Sequence, residues 1–102
     1  MRRALPALLI ALLIAAPAAG DINAAREAVM RGAFDVALPE LNALAAAGQA
    51  EAQALLGDLY ARGDGVEKND ALAAEWYEKA ARAGYSDAQY ALGLLYQTGR
   101  GV

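Results

Sequence analysis

The strongest constraint on this chain is a fifteen-residue phrase that occurs twice. The run Ala52–Val66, AQALLGDLYARGDGV, returns thirty-six residues later as Ala88–Val102, AQYALGLLYQTGRGV, with nine of the fifteen positions identical. Self-similarity at a fixed period of this length marks a solenoid, in which each unit buries its apolar face on the next. The composition says which kind of unit. Twenty-eight of the 102 residues are alanine, the best helix former, and β-branched residues are few, so the chain reads as all-α. Alanine buries little area, so the core has to rest on a few Leu, Tyr and Trp side chains.

The doubled phrase, together with Asp70–Gly84, DALAAEWYEKAARAG, resembles the Sel1-like repeat family, relatives of the tetratricopeptide repeat. AQ-x-x-LG-x-LY-x-x-G-x-GV matches that family's first helix and turn, and D-x-x-x-A-x-x-WY-x-KAA-x-x-G its second helix. The resemblance covers residues 32–102. It implies an αα-superhelix of antiparallel helix pairs with period 36, and an adaptor role without catalysis. On this basis the chain divides into a signal peptide (1–20), a degenerate opening repeat (21–49), a complete repeat (50–85) and the first helix of a further repeat (86–102).

Several function classes are excluded by inventory. There is no cysteine and no histidine, and Ser86 and Thr98 are the one serine and the one threonine. Disulfides, Ser-His-Asp or Cys-His catalysis and ordinary zinc sites therefore fall away, and no cofactor is expected. The net charge of −3 argues against a nucleic-acid partner.

Met1-Arg2-Arg3 is a short basic segment, followed by Ala4–Ala19 without a charge and by small residues at Ala16-Pro17-Ala18-Ala19-Gly20. That is the layout of a secretory signal peptide, cut after Gly20, Ala19 or Ala18. The uncharged run is shorter than the roughly 20 residues a span needs, so membrane contact is expected only during export. Loss of Arg2 and Arg3 leaves seven basic and twelve acidic side chains, a mildly acidic soluble product of net charge −5. A periplasmic or secreted location follows.

A first helix is expected over Asp21–Arg31, capped by Asp21 or Asn23, with Glu27 and Arg31 as an i,i+4 pair. Stepping back one period from Tyr77, Ala80, Ala81 and Gly84 lands on Leu41, Leu44, Ala45 and Gly48. Phe34–Ala47 is thus a degenerate second helix with Leu38, Leu41 and Leu44 as its stripe. Pro39 is accommodated if Asp35 is the N-cap and the proline closes the first turn. Ala50–Arg62 is the next first helix, and the recurring mid-helix glycine, Gly57 and Gly93, signals a neighbour packed too close for a Cβ. Gly63-Asp64-Gly65-Val66 turns the chain, and Asp70 caps a helix whose buried stripe is Trp76, Tyr77, Ala80 and Ala81. Its exposed face carries the pairs Glu75–Lys79 and Glu78–Arg82. Ser86-Asp87-Ala88-Gln89 reads as a capping box. An array normally caps its terminal face, so this chain is expected to be either a piece of a longer protein or one whose last helix needs a partner.

Some short signals have plainer readings. Arg62-Gly63-Asp64 spells an adhesion tripeptide, but Gly63 belongs to the turn and the second copy reads Thr98-Gly99-Arg100. The glycine pairs lack the strand and the Lys-Ser/Thr of a phosphate loop. Asp64, Glu67, Asn69 and Asp70 lack calcium-loop spacing. Glu75 and Glu78 lie one turn apart on one helix, not across a cleft.

The positions that differ between the copies are more informative. Tyr90, Leu94 and Gln97 stand where the first copy has Ala54, Asp58 and Ala61, and the spacing i, i+4, i+7 puts them on one helix face. The resemblance implies that first helices line the concave side of the array. Tyr90, Leu94, Gln97 and Asp58 are therefore the candidate partner-binding residues, with Tyr90 as anchor; the alternative is that Tyr90 and Leu94 pack on further helices. The expected function is a non-catalytic adaptor of the bacterial envelope that holds a protein or peptide. The alternative is an accessory or hydrolase-like protein acting on peptidoglycan or polysaccharide, a role to which exported members of the family are linked.

Overall fold

The computed structural model describes residues 21–102, and the expected signal peptide lies outside them. Five helices follow one another: α1 (Ile22–Met30), α2 (Phe34–Ala46), α3 (Ala50–Arg62), α4 (Asp70–Arg82) and α5 (Ser86–Thr98). No strand occurs among the described residues. Each helix packs against the next, and α1 also touches α3, as in an αα-solenoid.

Two apolar clusters hold the stack together. The first joins Ala25 and Ala28 of α1, Ala37, Leu41, Leu44 and Ala45 of α2, and Ala52, Leu56 and Leu59 of α3. Leu41, Leu44, Leu56 and Leu59 are its fully buried large side chains, each contributing ~1.5–3 kcal/mol by leaving water. The second cluster joins Ala54 of α3, Ala73, Ala74, Tyr77 and Ala80 of α4, and Ala88 and Leu95 of α5. The neighbours Trp76 and Tyr77 divide between them: Trp76 packs on the first cluster and Tyr77 belongs to the second. Helix α4 thereby ties one hairpin to the next.

The helix starts depart from the sequence reading in three places. Helix α2 begins at Phe34, with Ala33 in the capping position and no side-chain cap, so Asp35 is already helical. Pro39 lies inside the helix and not at the end of its first turn, and its ring nitrogen cannot bond the Asp35 carbonyl. The reason is tertiary. Phe34 packs on the first cluster, and a Cβ on Gly65, itself at φ +75, would run into the Phe34 side chain. Helix α4 is capped by Asn69, not Asp70: Asn69 is extended (φ −153) and its Oδ1 accepts from the Leu72 N–H at 3.0 Å.

The third departure is at α5. Ser86 is the first helical residue, Tyr85 occupies the capping position, and no capping box forms. Gln89 instead donates from Nε2 to the Ala81 carbonyl at 3.1 Å. Gln53, one period earlier, donates to the Ala45 carbonyl at 3.2 Å. The recurring glutamine therefore adds a side-chain bond to a carbonyl at the end of the preceding helix that already accepts a backbone N–H, from Gly48 or Gly84, and so ties the two helices together. At α1 the expected cap is present, with Asp21 accepting from the Asn23 N–H at 2.9 Å. Gly63 closes α3 in the left-handed conformation, φ +77, where its N–H and that of Asp64 both reach the Leu59 carbonyl.

Candidate partner-binding surface

The packing of α4 on α3 shows what this type of first-helix face accepts. The Tyr77 ring lies against the bare backbone of Gly57: a Cβ there would sit 2.7 Å from Tyr77 Cδ1 and Cε1. The ring is nearly inaccessible, 5% exposed, and its hydroxyl donates to Asp58 Oδ1 at 2.5 Å. Burial, and next the bond to the Asp58 carboxylate, push the Tyr77 phenol well above the ordinary tyrosine range. Ala54, one turn before Asp58, lies in the same cluster. The receiving face of α3 is thus Ala54, Gly57 and Asp58, and the inserted group is an aromatic ring flanked by alanines.

One period on, α5 offers the same face with other side chains. Tyr90 replaces Ala54, Leu94 replaces Asp58, and Gln97 replaces Ala61, while the glycine stays as Gly93. Nothing lies within 4 Å of a Cβ built on Gly93. Tyr90 is 71% exposed and Leu94 42% exposed, and Gln97 is exposed as well. The other side of α5 is anchored, with Leu95 and Ala88 buried against α4. The turn after α5 is fixed too. Arg100 bonds Asp70 through Nε and Nη2 at 3.2 and 3.1 Å, and a Cβ on Gly101 would strike the Asp70 carbonyl. Lys68 joins the same carboxylate at 2.9 Å. Arg100 first, and Lys68 second, hold the Asp70 carboxyl below its usual range.

The four residues selected from the sequence therefore divide. Tyr90, Leu94 and Gln97 form one open face on α5. Asp58 stands apart, half-buried between α3 and α4 and engaged by Tyr77. Gly93 belongs with the first three and was singled out only as a packing signal; its role in the face is visible once Tyr77 is seen on Gly57. The remaining polar signals resolve into local contacts. Arg62 and Asp64 of the adhesion-like tripeptide meet each other at 3.5 Å. Glu78 pairs with Arg82 at 2.6 Å, whereas Lys79 lies over the Trp76 ring at 5.1 Å instead of pairing with Glu75. No metal-holding group of acidic side chains occurs among the described residues, and none of the described helices is long and apolar enough to cross a membrane.

The Sel1 repeat profile matches residues 50–85 and 86–102, which is more than half of the chain. The chain belongs to the Sel1 repeat family. A crystal structure of a Sel1 repeat protein from Oxalobacter formigenes superposes with a TM-score of 0.76 at 38% identity, over 80% of this chain and 34% of that one. The chain thus spans about a third of that protein's length. None of the curated proteins matches it. Sel1 repeats are in general protein-interaction modules and typically scaffold without catalysing.

Proposed function

We propose that this Sel1 repeat chain is a non-catalytic adaptor that holds a protein partner on the open face of α5, through Tyr90, Leu94 and Gln97. The observation that carries this reading is the state of that face. The equivalent positions of the preceding copy are packed under α4, and here they present an aromatic and an aliphatic side chain to solvent. Exposed aromatic and aliphatic side chains on one helix face are the usual make-up of a binding anchor. The mechanism is burial of these side chains against a partner segment, with no covalent step. The basic, then apolar, then small-residue order of residues 1–20 supports placing the adaptor in the envelope, periplasmic or secreted.

The test is capture from an envelope extract by the immobilised chain and by its Tyr90→Ala/Leu94→Asp variant. The parent is expected to retain a defined protein and the variant to lose it, with helical circular dichroism unchanged. Capture that survives the double substitution, or a variant that unfolds, refutes this assignment of the face.

A further inference from the structure

We infer that this chain matures by a cut between Gly20 and Asp21, and that the amine so exposed is seated on the Glu40 carboxylate of α2. The inference rests on the export reading of residues 1–20 and not on the adaptor face. The small residues before Asp21 allow a cut after Gly20, Ala19 or Ala18, and the folded body distinguishes the three. The Asp21 backbone nitrogen lies 3.1 Å from Glu40 Oε2. Asp21 is also the N-cap of α1, where its own carboxylate accepts from the Asn23 N–H at 2.9 Å. The nitrogen that a cut after Gly20 frees is thus already in contact with a carboxylate of the folded body.

Glu40 is the residue to explain. It stands one period before Trp76, and Trp76 packs on the cluster built largely by the preceding hairpin, α1–α2. At the same place in the opening hairpin the chain puts a carboxylate. It is half-buried, and it borders a groove whose other walls are Ala24, Ala25, Ala28 and Val36, which supply no charge. Among the described residues no Lys or Arg pairs with it.

In the uncut chain the Asp21 nitrogen is a neutral amide with one proton to donate. Hydrolysis of the Gly20–Asp21 bond by an envelope peptidase consumes one water. It leaves a carboxylate on Gly20 and an amine on Asp21, and that amine takes up the proton and is charged near neutral pH. The contact with Glu40 then becomes charge-assisted, about twice as strong as a neutral hydrogen bond. The ammonium also needs such a partner, because a positive charge at a helix start opposes the helix dipole. The other charges at this end of α1 are the Asp21 carboxylate, Glu27 and Arg26, and Arg26 is held by Glu51 at 2.7 Å. A cut after Ala18 sets the new charge up to ~7 Å further along the chain and loosens its hold on Glu40. A cut after Ala19 also displaces it, and puts Pro17 where the peptidase prefers a small residue.

The test uses the full chain, produced in an exporting bacterium and recovered from the envelope, beside its Glu40→Gln variant. Intact mass is expected to show a product starting at Asp21 for both. The amine is then titrated through the pH dependence of its acylation, read on the N-terminal peptide by mass spectrometry. In the parent its proton is expected to be held at least ~3-fold more tightly than in Glu40→Gln, since the carboxylate favours the charged form. The parent's advantage in melting temperature over the variant should be full at neutral pH and vanish as pH rises through the folded-state pKa of the amine.

A product starting at Ala19 or Gly20 overturns the assigned cut and leaves the export reading standing. An uncut chain overturns the export reading and the inference with it. A product starting at Asp21 whose amine titrates alike in the two chains overturns the seat on Glu40.

Discussion

The two repeated glycines supply a stability test in which the same substitution has opposite signs. In Gly57→Ala the new methyl gains ~1 kcal/mol of helix propensity. It must also enter a space 2.7 Å from two carbons of the Tyr77 ring. That ring cannot swing aside cheaply, because it is buried and its hydroxyl is held by Asp58. Overpacking of this kind costs ~1–3 kcal/mol, and a ring displaced enough to lose its bond to the carboxylate forfeits ~1.5 kcal/mol or more. The net expectation is a loss of roughly 1–3 kcal/mol. In Gly93→Ala the methyl meets nothing within 4 Å, so only the propensity term remains, a gain of up to ~1 kcal/mol. At ~4–8 °C per kcal/mol for a domain of this size, the two variants should melt on the order of 10 °C apart, on either side of the parent. Thermal unfolding followed by circular dichroism at 222 nm measures this. If Gly57→Ala is as stable as Gly93→Ala, the close approach of Tyr77 to α3 is not what the recurring glycine serves.

Three further substitutions test the supports of the stack. Pro39→Ala should raise stability by ~1–3 kcal/mol in urea unfolding, since the proline is exposed and forgoes one bond inside α2. Gln53→Ala should lose ~0.5–1.5 kcal/mol with its buried bond to the Ala45 carbonyl, which keeps the Gly48 N–H, whereas Gln89→Ala, at an exposed position, should lose under ~0.5 kcal/mol in the same assay. Tyr77 also predicts an alkaline limit. Its phenol holds its proton in the folded state to a higher pH than in the unfolded chain, so this stabilisation is complete below ~pH 10 and is lost as pH rises beyond it. A melting-temperature profile from pH 8 to 12 should fall at its alkaline end, and Tyr77→Phe should start lower, by ~1–2 kcal/mol, and fall less.

Much of the architecture was legible because the period fixes it. Matching Ala52–Val66 to Ala88–Val102 located α3, α5 and the turns after them, and stepping back one period from Tyr77 found Leu41 in the core of α2. Helix starts were less legible because local capping rules compete with tertiary contacts. Phe34 draws the start of α2 forward by packing under the Gly65 turn, and Pro39 is carried inside as a consequence. Asn69 and Asp70 are both good caps, and Asp70 is drawn instead to Lys68 and Arg100, the latter thirty residues away in sequence. The Ser86–Gln89 box looked local, yet the first copy held the contrary signal. Gln53 recurs there behind Ala50, which cannot cap, so the glutamine's shared task lies elsewhere, at the carbonyl of the helix before.

The site shows the same competition. Comparing the two copies groups Asp58 with Tyr90, Leu94 and Gln97, since all of them lie at positions that differ. The comparison does not see that Asp58 is fitted to Tyr77, because Tyr77 lies outside the matched phrase. Once that pair is visible, the differences acquire direction. An interface that receives a phenol needs an acceptor and a small neighbour, and α3 has Asp58 and Ala54. Helix α5 has Leu94 and Tyr90 at those two positions, exposed beside a Gly93 that no described residue covers. The scaffold residues Leu56, Leu59 and Gly57 recur as Leu92, Leu95 and Gly93, so the stack's geometry is held constant while the chemistry of one face is changed. That separation of framework from face is what lets a single helix-pair design present a different neighbour at each step.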